Sequence, residues 1–170
     1  LLAEVRQRLT AVGEQWVASI LAAKGTTQDA LGVGEEWANF ALAQRWLRLL
    51  HHSLQDIQRW GRPRLPGRLD TFRNEQVVVR VFPQTIADRL LFMGVTGEVW
   101  FQPGLTSDDV LALQAAAYHD KQPAGQVVLV LGAGNAACIP LDDTLHQMFI
   151  ANRVVLLKLN PVNDYLAPLL

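Results

Sequence analysis

The sequence predicts an α/β protein, with helices first, a β-hairpin after them and a strand–helix–strand unit at the end. Apolar residues recur at helical spacing through residues 1–60, β-branched runs bounded by proline follow, and two apolar runs near the end flank a glycine turn and a helical stripe. At 170 residues the length is that of one domain with a real core. Half of the residues are hydrophobic and 18% are charged, which excludes a disordered chain.

Along residues 2–23, Val5, Leu9, Val12, Trp16 and Ile20 form one stripe of an amphipathic helix, which Lys24-Gly25-Thr26-Thr27 stops. A second helix is predicted over residues 35–60 through Trp37, Phe40, Leu47, Leu50, Leu54 and Ile57. Two prolines and two glycines within residues 61–68 can sustain neither a helix nor a central strand, so a linker and internal boundary are placed there. Residues 76–82 and 97–101 read as two strands paired through the insert 84–93, a β-hairpin segment spanning 69–105. Thr106 or Ser107 opens a helix to His119, with Asp108 and Asp109 at its positive end and Val110, Leu113 and Ala117 as its buried stripe.

Residues 126–131 form an almost uninterrupted apolar strand, as expected of a parallel strand covered on both faces. The turn Gly132-Ala133-Gly134-Asn135-Ala136-Ala137 leads to a helix with Pro140 near its start and Leu141, Leu145, Met148 and Phe149 along it. Residues 153–158 read as a second buried strand, and Asn160-Pro161 as the N-cap and first position of a third helix. This is a βαβ unit, for which a right-handed crossover is expected. Its turn fits the G-x-G-x-x-G/A pattern at the place where a dinucleotide fingerprint belongs, which makes residues 106–170 the start of a Rossmann-like cofactor-binding domain. A tight strand-to-helix turn with no ligand accounts for the same glycines. The acid that normally ends the second strand is here Lys158, which can donate to ribose hydroxyls or attract a 2′-phosphate but cannot accept.

The stretch from Gly132 to Leu170, with its GAGN, VVLLK and NPVN segments, resembles the start of the cofactor-binding domain of the aldehyde dehydrogenase superfamily, in a divergent branch near the acyl-CoA reductases. VFPQTIADRLLFMGVTGEVWFQPG upstream resembles the same branch, so the resemblance covers residues 77–170. It implies a parent enzyme using NAD or NADP on a small-molecule aldehyde or acyl thioester, through a cysteine that forms a covalent intermediate. It assigns Asn135 to oxyanion stabilisation, and Gly132, Gly134, Lys158 and Asn160 to the cofactor. Asn135 suits turn geometry or helix capping equally, and Lys158 suits a solvated strand end. The family's ribose-binding glutamate has no match; Asn160 or Asn163 could take its place, leaving NAD and NADP both open. The family's nucleophile and general base lie outside the chain, so the piece alone is expected to be inactive. A non-catalytic structural or adaptor paralogue is the alternative. Family members commonly pair subunits through such a hairpin, which implies a homodimer or larger homo-oligomer through residues 77–101.

Other candidates have plainer readings. The 15 basic and 16 acidic residues give a net charge of −1 and no reason to expect electrostatic binding to nucleic acid or anionic lipid. Cys138 is the single cysteine, which excludes an internal disulfide. The helix dipole would lower its pKa, yet it has no adjacent base and reads as an inert buried thiol. His51 and His52 point about 100° apart on a helix, and His119 and His146 lack ligands at suitable spacing, so no metal site is expected. The five tryptophans read as core or interface, and Arg59, Arg62, Arg64 and Arg68 as a solvated basic loop. The longest apolar run, 127–133, is far short of the roughly 20 residues of a membrane span, and a reduced, cytoplasmic setting is expected. The opening on Leu1 and the close on Pro168-Leu169-Leu170 within a helical stretch read as a piece of a longer protein.

Overall fold

The computed structural model describes residues 1–26, 29–72 and 75–170. Thr27, expected in the stop of the first helix, lies outside them. In chain order the elements are α1 (Leu2–Ala11), α2 (Gly13–Lys24), α3 (Ala30–Trp60), β1 (Leu69–Thr71), β2 (Val77–Phe82), α4 (Ile86–Leu91), β3 (Gly97–Trp100), α5 (Ser107–Leu113), α6 (Ala116–His119), β4 (Val127–Leu131), α7 (Ile139–Phe149), β5 (Val154–Lys158) and a closing 3-10 helix (Asp164–Leu169). The protein is mixed α/β, about 52% helical. It divides into two compact units, Leu1–Leu54 with Asp120–Leu170, and Gln55–His119. The N-terminal helices and the terminal strand–helix–strand therefore share one unit.

In the first unit the predicted stripe faces the core: Leu9, Trp16 and Ile20 are buried, and Val5 and Val12 pack against them. The single helix expected over 2–23 is two, parted at Val12 (φ −96°, ψ 3°). Packing from α3 accounts for the glycine at the break, since a Cβ on Gly13 would sit 2.9 Å from the Phe40 ring. Phe40, Leu47 and Leu50 of α3, Leu145 of α7 and Leu166 complete this core. Full burial of each such aliphatic side chain is worth about 1.5–3 kcal/mol. Of the tryptophans, Trp16 is buried here, whereas Trp37 is 42% exposed.

Strands β4 and β5 pair in parallel with Val127 opposite Val154 and Leu131 opposite Lys158, and α7 packs against both. The expectation that both strands are covered on both faces is corrected. Val127, Leu129, Leu131, Val154 and Leu156 are all exposed, because α7 covers one face of the pair only. The third helix expected from Asn160 is also corrected. The Asn160 side chain accepts from the Val162 N–H at 3.0 Å, which makes a turn, and the helix that follows is 3-10 and begins at Asp164.

The second unit holds a three-stranded antiparallel sheet, order β1-β2-β3, with Val79 paired to Leu69 and to Val99. The expected pairing of β2 with β3 across an insert is present, and β1 is an addition to it. Of the two expected caps it is Thr106 that caps α5, in a reciprocal box with Asp109. The helix then breaks at Gln114 and Ala115 (φ 54°), so Val110 is buried while Leu113 is 59% exposed. Arg64 is exposed, as expected, and is also tied to Asp56: its N–H and Nε donate to the carboxylate at 3.2 and 3.0 Å, and hold that carboxyl below its usual range. Among the described residues no helix is long and apolar enough to cross a membrane.

Candidate functional site

The glycine turn sits where the sequence places it, between β4 and α7, but its glycines are occupied by the protein's own packing. The Gly132 N–H donates to the Lys158 carbonyl at 2.8 Å, which carries the β4–β5 ladder one residue past β4. A Cβ on Gly132 would meet Pro140 Cγ at 3.1 Å and the Lys158 carbonyl oxygen at 3.3 Å. A Cβ on Gly134 would meet the Asn160 side chain at 3.0 Å. At Gly132 a side chain would crowd Pro140 and backbone, and at Gly134 it would push on the Asn160 side chain, so packing within the fold favours glycine at both positions independently of any ligand.

The polar residues of the site fall into two groups. Asn135 and Lys158 are exposed, and among the described residues neither side chain has a hydrogen-bond or ion-pair partner. Asn135 does not cap α7, whose N-cap is Cys138 without a side-chain bond. Asn160 and Asn163 are committed internally. Beyond its Val162 bond, Asn160 offers its main-chain carbonyl to the Asn163 N–H at 2.9 Å. Asn163 is buried, donates Nδ2–H to the Ala133 carbonyl at 3.0 Å and accepts from the Tyr165 hydroxyl at 3.4 Å. Against a nicotinamide dinucleotide this set fits in part. Lys158 can donate to a ribose hydroxyl or a 2′-phosphate, while the two asparagines that could have replaced the missing glutamate are spent on the turn.

Folding brings three further residues to Gly134 and Asn135 that sequence reasoning missed. Lys24, Glu36 and Tyr165 line, with those two and Asn163, a cavity of about 60 Å³. Glu36 is buried at 3% exposure and accepts a hydrogen bond from Lys24 Nζ, a bond that raises the lysine pKa. Burial, with Glu36 nearby, raises the Tyr165 hydroxyl. Lys24 ends α2 and Glu36 sits in the second turn of α3. Nothing local in the sequence links either to the turn after β4.

Cys138 is half-buried, and burial, then Asp142, push its thiol up. The lowering expected from the helix dipole is outweighed, and the thiol is a poor nucleophile. Asp142, one turn on, has a buried Oδ1 without a hydrogen-bond partner, and burial followed by Asp143 pushes its carboxyl up to about 6. Among the described residues no group of three or more His, Cys, Asp or Glu could hold a metal ion. Comparison with family models, with curated proteins and with solved structures finds no match for the chain.

Proposed function

We propose that the chain is the opening part of the cofactor-binding domain of an NAD(P)-dependent oxidoreductase of the aldehyde dehydrogenase or acyl-CoA reductase type. It would act on a small-molecule aldehyde or acyl thioester through a cysteine outside the chain. The observation that carries this reading is the register of the parallel pair. Leu131 stands opposite Lys158, so the turn bearing Asn135 and the strand-end lysine share the carboxyl end of the sheet. Open α/β sheets bind ligands at that end. Lys158 would hold the adenosine ribose or its 2′-phosphate, and the Asn135 amide would donate to an oxyanion developing on the substrate. The nicotinamide, when bound, supplies the hydride chemistry. The proposal includes a homo-oligomer formed through β2 and β3, supported by the exposure of Val99 and Trp100 on the edge strand β3.

A second reading draws on the packing of the turn. Gly132 and Gly134 are explained by contacts within the fold, and the Asn160 Oδ1 is taken up by the Val162 N–H. That is what a structural paralogue would retain after losing the chemistry. The full-length protein separates the two. On the enzymatic reading Asn135→Ala lowers turnover roughly a hundredfold with cofactor affinity nearly unchanged, since the lost donor acts in the transition state, and the 170-residue chain alone turns over nothing. A full-length protein inactive on aldehydes and acyl thioesters with both cofactors selects the paralogue.

A further inference from the structure

Net charge averages over the chain, and three of its arginines gather on one cavity of the second unit. A pocket of about 500 Å³ is lined by Arg68, Arg80 and Arg89 around Gly67, with Phe92 and Val95 at its edge. Two lining segments approach closely there: a Cβ on Gly67 would lie 2.5 Å from the Arg80 carbonyl oxygen. Asp70 also lines the pocket, and Arg80 is 3.8 Å from Glu98. Among the described residues Arg68 and Arg89 have no acidic partner.

The segment that rims this pocket also carries an unpartnered apolar face. Ile86, Leu90 and Met93 follow one another at helical spacing on and just after α4, and are 77%, 68% and 80% exposed; Leu91 and Val95 beside them are exposed as well. The capping box of Thr85 with the buried Asp88 fixes α4 from its inner side, which leaves the apolar stripe turned outward. Large apolar side chains protruding next to guanidinium groups, two of them without an acidic partner among the described residues, are the arrangement of a surface that lies on a bilayer. The apolar groups enter the acyl boundary and the arginines meet lipid phosphates.

We propose that this face of the second unit, the α4 stripe with the Arg68–Arg80–Arg89 pocket, docks on an anionic phospholipid surface. A second protein copy would bury the apolar stripe but gives no use to two arginines that have no acidic partner among the described residues, and this charge complementarity favours the lipid.

The test is flotation of the chain with vesicles of phosphatidylcholine alone and with vesicles in which about a third of the lipid is phosphatidylglycerol. The chain should float with the anionic vesicles, more weakly with the neutral ones, and less as salt rises. Arg68→Ala and Arg89→Ala should each weaken binding roughly fivefold. Leu90→Asp and, separately, Met93→Ser should weaken it on both vesicle types, with circular dichroism showing each variant folded like the parent. No binding to anionic vesicles, or unchanged binding in the double arginine variant, overturns the proposal. So does a dimer by light scattering that Leu90→Asp dissolves while vesicle binding is untouched, because the stripe then belongs to a second copy.

Discussion

Asp142 is pulled in opposite directions by helix and burial. In the first turn of α7 the dipole favours the carboxylate, yet its Oδ1 is buried without a donor and the group titrates at about 6. Its folded pKa lies above the unfolded value of 3.8, so the sign is opposite to that of a paired carboxylate. Below the unfolded value it is protonated in both states and costs nothing. As pH rises through 4 to 6 the unfolded chain gives up its proton first and stability falls, and above 6 the penalty is constant. Asp142→Asn should therefore stabilise the protein at pH 7 by about 1–2 kcal/mol, solvent screening holding the gain below the full linkage value, and should leave stability unchanged at pH 3. Urea melts at the two pH values check this, and equal stability of parent and variant at pH 7 would contradict it. The same burial keeps the Cys138 thiol protonated, against the dipole that the sequence alone would credit.

At the scale of elements, the turn after β4 serves as the joint between strand, helix and neighbouring strand. Gly132→Ala presses a methyl group against Pro140 and the Lys158 carbonyl, and should cost about 1–3 kcal/mol in a chemical melt, ligand or no ligand. A fully neutral substitution would mean that Pro140 and the Lys158 backbone give way and that packing does not require the glycine. Elements set by local chemistry were legible in the sequence: the cap at Thr106 or Ser107, resolved as Thr106 in a box with Asp109, the β2–β3 pair, and the stripe from Val5 to Ile20. Elements set by distant contacts were not. The glycine beside the break at Val12 answers to a Phe40 ring seated where a Cβ on Gly13 would go. Strand β1 is three residues long and exists by pairing with β2. The bare face of β4 and β5 was hidden because an apolar run reads alike whether one face is covered or two.

Across the whole molecule, the candidate site was half legible. Periodicity and turn residues located Asn135 and Lys158 at one end of a parallel pair, and register confirms that they share it. The ion pair of Lys24 with Glu36, the hydroxyl of Tyr165 and the commitment of Asn163 to the Ala133 carbonyl depend on how the N-terminal helices and the 3-10 segment meet the turn, which no local pattern encodes. The local gathering of arginines on the second unit was likewise invisible in a net charge of −1. The central claim, that the carboxyl end of β5 holds the adenosine end of a nicotinamide cofactor, is tested most directly by calorimetric titration of the full-length protein and its Lys158→Ala variant with NAD and NADP. A charge-assisted hydrogen bond lost from an exposed lysine should raise the dissociation constant on the order of tenfold to a hundredfold, more for NADP if the 2′-phosphate is the contact, with the fold unchanged. Equal affinity of parent and variant for both cofactors would contradict it.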